Sequence, residues 1–168
     1  KKNLSNLADS KNKKFENLRI CILDRPRHKK IINEAKSLNI NVKLITDGDV
    51  SGALLVTDEK YNIDLFLGTG GGPEGVLAAS ALDTYGCGFQ GRFIFDTDEL
   101  KKRANKMGIN DFDKKYNLDE IVKGDSLFCA TGITKGDLVN GVKLRDDKMI
   151  VNTLITHKSQ NMKKIVTG

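Results

Sequence analysis

Gly68-Thr69-Gly70-Gly71-Gly72-Pro73-Glu74-Gly75 joins an apolar run at 63–67 to an apolar helical run at 76–82. A short buried strand, a turn and a helix is the reading that decides the fold. Five glycines in eight positions strip the turn of side chains, so backbone N–H groups can approach an anionic oxygen and left-handed conformations cost little. Pro73 fits the first helical position, where its missing donor is no loss, and Glu74 then falls in the first turn at the positive end of the helix. A carboxylate there repels a bare phosphate. It suits a cation, which can hold the phosphate in turn.

Working back from the turn, the sequence contains two more units of the same kind. Residues 18–23 read as a buried strand bounded by Asp24 and Pro26, and Ile31, Ile32, Ala35 and Leu38 recur at helical spacing over 29–38. Residues 41–45 form a second strand ending at Asp47-Gly48-Asp49, and a helical run begins at Val50. Three strand–helix units predict an α/β layered sandwich with a largely parallel or mixed sheet. Ligands of such sheets bind at the carboxyl ends of the strands. The cluster Arg25-Pro26-Arg27-His28, the cluster Asp47-Gly48-Asp49 and the glycine turn all fall at those ends, so one site can use all three.

Working forward, a strand is expected at 92–95, a lysine-rich helix at 97–107, a helical turn at 118–122 and a strand at 126–129. A second small-residue loop follows at 130–138, then strand-like runs at 149–155 and 165–167. Residues 1–17 are polar and read as a short surface helix or a lead-in, which leaves 18–168 as one α/β domain. The chain begins with Lys1 rather than Met, and it is expected to start inside a longer protein.

Lys and Arg total 28 against 22 Asp and Glu, but the basic residues stand in scattered pairs with acids between them. A nucleic-acid footprint concentrates charge and interleaves aromatics, so no nucleic-acid partner is expected. Cys21, Cys87 and Cys129 are odd in number and form no C-x-x-C pair, which argues against disulfides and structural zinc and for a reducing cytoplasm. No apolar run reaches membrane-spanning length and no signal-peptide pattern is present, so neither membrane nor export is expected.

Each cluster admits two readings. Arg25 and Arg27 flank a stiffening proline and can offer two guanidinium forks to a phosphate, or they are ordinary solvated arginines. Asp47 and Asp49 can accept hydrogen bonds from neighbouring sugar hydroxyls, and they also fit a β-turn with Asp49 as helix cap. Glu74 is either a cation ligand or a favourable first-turn acid. His28 reads as a loop or phosphate-side residue, His157 as surface, and neither has a nucleophile at a strand–helix elbow. A rival reading takes Gly70-x-Gly72-x-x-Gly75 as a dinucleotide fingerprint with Asp96 some twenty residues on, at the end of another strand. Against it, Pro73 and Glu74 set a negative charge where the pyrophosphate would dock.

Four motifs in order, Asp24-Arg25-Pro26-Arg27-His28, Asp47-Gly48-Asp49, the glycine turn through Gly75, and Ala130-Thr131-Gly132-Ile133-Thr134-Lys135-Gly136-Asp137-Leu138, resemble the class II fructose-1,6-bisphosphatase family. The similarity runs from about Leu18 to the end and covers the second, C-terminal half of the family's usual length. The resemblance implies an inositol-monophosphatase-like fold and metal-dependent hydrolysis of the 1-phosphate of fructose 1,6-bisphosphate to fructose 6-phosphate in gluconeogenesis, with sedoheptulose 1,7-bisphosphate as a second substrate in some members. By motif, Arg25, Pro26 and Arg27 bind a substrate phosphate. Asp47, Gly48 and Asp49 meet the sugar side, Gly71 meets the substrate through its backbone, and Glu74 ligates Mg²⁺ or Mn²⁺. The remaining metal ligands and the groups that position the attacking water belong to the N-terminal half, which has no counterpart in this chain. The resemblance therefore also implies a partner, that first half, together with a homo-oligomer and a chain that is inactive alone.

Overall fold

A computed structural model describes residues 2–168. Strand β1 (Arg19–Leu23) lies between β2 (Asn41–Ile45) and β3 (Leu65–Phe66), and both pairings are parallel, with Ile20 opposite Val42 and Leu65. Four of the five β1 residues are buried, as a central parallel strand covered on both faces requires. Ile20 and Ile22 point to one face and Cys21 to the other, a consequence of the two-residue strand period. On the first face, Ile20 and Ile22 pack with Leu4 and Ala8 of α1 (Lys2–Ser10) and Ile32 and Ala35 of α2 (Lys29–Ser37). The segment read as a lead-in thus carries a helix with two residues in the core. Behind it, Lys13 and Lys11 reach Asp64 at 2.7 and 3.2 Å, and the Arg19 N–H donates to the same carboxylate.

The opposite face is covered by α3 (Asp49–Leu54), on which α4 (Gly72–Asp83) packs in turn. Ala53 and Leu54 pack with Ala78, Ala81 and Leu82, and then with Phe128 and Leu154 of a second sheet. Gly52 makes the approach of α3 possible: a Cβ there would stand 2.5 Å from Ile45 Cδ1 and 2.8 Å from Phe66 Cε2.

The second sheet orders β10 (Met162–Thr167), β9 (Asn152–His157) and β6 (Leu127–Thr131), all antiparallel. Short pairs β4 (Gln90–Gly91) with β5 (Tyr116–Asn117), and β7 (Lys143–Arg145) with β8 (Lys148–Ile150), lie outside both sheets. Helices α5 (Asp98–Lys106) and α6 (Leu118–Ile121) complete the chain. The chain is α/β with a mixed set of sheets.

Three expectations are corrected. Residues 92–95 form no strand; Phe93 and Phe95 instead stack with each other, with Tyr116 and with Phe112, so aromatic packing explains their apolar pattern. The run at 149–155 is divided between β8 and β9. The cap of α3 is Gly48, with φ of 86°, and Asp49 is the first helical residue.

A buried polar seam joins α4 to the second sheet. Asp83 accepts from Ser126 Oγ at 2.6 Å and Lys158 Nζ at 2.8 Å, and Thr84 Oγ1 meets Thr156 Oγ1 at 2.7 Å. Burial pushes the Asp83 carboxyl up, but the Lys158 and Ser126 hydrogen bonds outweigh it and hold it below the usual carboxylate range. A carboxylate depressed in this way stabilises the fold above its unfolded value, and the contribution is lost as pH falls through the folded one. Asp83→Asn should cost about 1–2 kcal/mol at neutral pH. The gap to the parent protein should close as pH is taken from about 5 to about 2. Urea unfolding at several pH values reads both effects, and a pH-independent gap would assign the loss to packing.

Candidate functional site

Because β1 is central and the chain passes first to β2 on one side and then to β3 on the other, the strand order reverses between β1 and β3. Ligands of open α/β sheets bind in the crevice at the carboxyl ends there. The loops that leave those two strands carry Arg25–His28 and the glycine turn. His28 ties them together. Its buried ring contacts the Leu23 carbonyl through Nδ1 at 2.8 Å, and the Thr69 N–H donates to Nε2 at 2.8 Å. Arg27 Nε adds a bond to the Thr69 carbonyl at 2.6 Å. His28 is therefore a buried brace for the glycine turn rather than a phosphate-side residue.

Helix α4 begins at Gly72, so Pro73 is its second residue and Glu74 lies within the first turn. Carboxylates press on the turn from two sides. A Cβ on Gly70 would stand 2.6 Å from Asp49 Oδ2, and one on Gly71 would collide with Glu74 Oε2. The bare glycines leave room for these two groups. Neither Asp49 nor Glu74 has a hydrogen-bond or ion-pair partner among the described residues.

Next to the turn is an open hollow of about 490 Å³, within the range of small-molecule sites. Its lining is polar at Asp47, Gly48, Asp49, Ser51, Gly71 and Glu74 and apolar at Val50, Phe128, Ala130 and Leu138, the apolar wall of the hollow. Five of the eight residues singled out in the sequence line it. Arg25, Pro26 and Arg27 do not, although Arg25 Nη2 comes within 3.8 Å of Asp47 Oδ1. The apolar wall escaped the sequence reading because its residues come from α3, β6 and the loop after β6. The only sequence signal for it was the small-residue motif at 130–138.

The donor set is one of hard carboxylate oxygens, which suit Mg²⁺ or Mn²⁺. Among the described residues, however, no group of three or more His, Cys, Asp or Glu side chains is placed to hold a metal ion. This chain's residues do not by themselves amount to a metal site. Two of the thiols are held protonated: burial pushes Cys21 up to about 11 and also raises Cys87. His157 and Ser159 share Asp125, with Nε2 and Oγ at 2.7 and 2.5 Å from Oδ2. The serine is bonded to the carboxylate rather than to the imidazole, so this is no nucleophilic triad. No helix among the described residues is long and apolar enough to cross a membrane.

A parallel sheet whose switch-point loops are braced together beside a carboxylate-lined hollow defines an α/β chain with a hollow at the carboxyl ends of its strands. The chain belongs to the family described as bacterial fructose-1,6-bisphosphatase, glpX-encoded, whose model matches residues 1–168. It is 36% identical to the D-fructose 1,6-bisphosphatase class 2/sedoheptulose 1,7-bisphosphatase of Microcystis aeruginosa, over 90% of this chain and 49% of that protein. It is 35% identical to the protein of that name from Synechocystis, over 98% of this chain and 51% of the relative. The corresponding protein of Trichodesmium erythraeum is 39% identical over 84% and 45%. The chain thus spans about half the length of the relatives it matches.

The dinucleotide reading is not favoured. The space that a pyrophosphate would need above Gly70 and Gly71 holds the Asp49 and Glu74 carboxylates, and Asp96 ends no strand.

Proposed function

We propose that this chain is the substrate-binding half of a metal-dependent sugar bisphosphatase that releases the 1-phosphate of fructose 1,6-bisphosphate, leaving fructose 6-phosphate. The observation that carries the reading is the hollow where Asp47, Asp49 and Glu74 face an apolar wall beside the Arg25–Arg27 loop. Asp47 and Asp49 accept hydrogen bonds from sugar hydroxyls, and the carbon face of the sugar packs against Phe128 and Leu138. Gly71 lines the same hollow, and its missing side chain leaves the space that the Glu74 carboxylate takes up. Arg25 and Arg27, on the loop stiffened by Pro26, hold a phosphate.

Glu74 contributes one oxygen ligand to a divalent ion, Mg²⁺ or Mn²⁺, and the other ligands come from a complementary half of the kind that completes the longer relatives. When bound, such an ion neutralises charge on the phosphoryl oxygens and activates water. In this reading residues 18–168 are the second half of an inositol-monophosphatase-like fold, and the pathway served is gluconeogenesis in the cytoplasm. An uncovered apolar patch supports the partner. Helix α4 is apolar on nearly all sides, yet Val76 and Leu77 are 52% and 54% exposed, and Phe93, beside its start, is 46% exposed. An all-round apolar helix is a buried helix in the complete protein.

The test mixes this chain with the complementary half of the Synechocystis relative and follows phosphate release from fructose 1,6-bisphosphate. Neither half should act alone, and together they should act only with a divalent metal. Release by this chain alone would mean that it holds a complete site, and saturable NADH binding would return the dinucleotide reading.

A further inference from the structure

The loop between β6 and β7, residues 132–142, is cinched at its neck. A Cβ on Gly132 would collide with the Asn140 carbonyl, and one on Gly141 would stand 2.6 Å from Lys135 N and Thr134 C, while the Val142 N–H donates to the Ile133 carbonyl. From this neck the loop reaches back to the first sheet at one residue. Asp137 Oδ2 meets Lys43 Nζ of β2 at 2.7 Å, and Tyr61 OH donates to the Asp137 carbonyl at 2.6 Å. The next residue, Leu138, packs against the cluster that includes Ala53 and Leu54 of α3 and against the cluster of Cys21, Leu55 and Ile63, and also lines the hollow.

We infer that Asp137 is a positioning residue that seats Leu138 as the apolar wall against which a sugar is held opposite Asp47 and Asp49. The inference rests on the reading that the hollow takes a sugar phosphate. Lys43 lies on the strand that leads to Asp47-Gly48-Asp49, so the ion pair links that strand to the loop that carries Leu138, and the Tyr61 hydrogen bond holds the same residue. The side chains of Asp137 and Lys43 are 51% and 35% exposed. A pair this exposed adds little to global stability, and its effect falls on the loop it anchors. The phosphate end of a ligand, held by the loop after β1, lies outside that influence.

The experiment measures binding of fructose 6-phosphate and of inorganic phosphate to this chain by calorimetry. Asp137→Ala should weaken fructose 6-phosphate by about tenfold, the scale of a displaced apolar contact, and leave inorganic phosphate unchanged. Tyr61→Phe should act in the same direction. Reversing the pair, with Lys43→Asp and Asp137→Lys together, should restore sugar phosphate binding. Equal weakening of both probes would reduce Asp137 to a general structural role, and unchanged sugar phosphate binding, or no rescue by the reversed pair, would overturn the inference while leaving the sugar phosphatase reading intact. A parent chain that binds neither probe would overturn both.

Discussion

Glu74→Gln should lower phosphate release by the two complementary halves by at least about 100-fold, the scale of removing a group that acts on developing charge. The side chain is exposed and has no partner among the described residues, so unfolding should be nearly unchanged. The carboxylate stands at the start of α4, where a helix favours negative charge, with no ion-pair partner among the described residues. Gln keeps the size and one oxygen but loses the charge. Release should therefore need more divalent metal as well as being slower, and a metal titration separates this from loss of sugar binding. An unaltered metal dependence would remove Glu74 from the metal's surroundings.

What the sequence made legible follows from how local each signal is. The bounds of β2 and the course of α2 were readable because two-residue and helical periods reflect burial directly. That Asp47, Gly48, Asp49, Gly71 and Glu74 would come together at one hollow was readable because strand ends in a parallel sheet fall on one edge. The apolar wall was not, since Phe128 and Leu138 are brought to Asp49 by pairing and loop closure across some eighty residues. His28 misled for a related reason: its two backbone partners, Leu23 at the end of β1 and Thr69 in the glycine turn, belong to different strand units, so nothing nearby marks it as buried. The aromatic run at 92–95 misled because stacking and strand burial select the same residues.

Arg27→Ala should raise the KM of the complemented enzyme for fructose 1,6-bisphosphate by about ten- to a hundredfold, since a lost charged hydrogen bond costs ~1.5–3 kcal/mol. Arg27 spends Nε on the Thr69 carbonyl and leaves its terminal nitrogens without a hydrogen-bond partner among the described residues. It can thus brace the glycine turn and present a fork to a phosphate at once. Arg25 is differently placed, with Nη1 on the Asp24 carbonyl at 3.2 Å and Nη2 near Asp47. The nearby carboxylate offsets part of its charge, so Arg25→Ala should have the smaller effect. Arg27→Lys should rescue only in part, because an ammonium keeps the charge but cannot hold Thr69 and a phosphate through one rigid fork. Steady-state kinetics on the three variants orders them, with stability followed alongside. An Arg27→Ala enzyme with the parent KM would place the substrate phosphate elsewhere on the molecule and leave Arg27 as a brace alone.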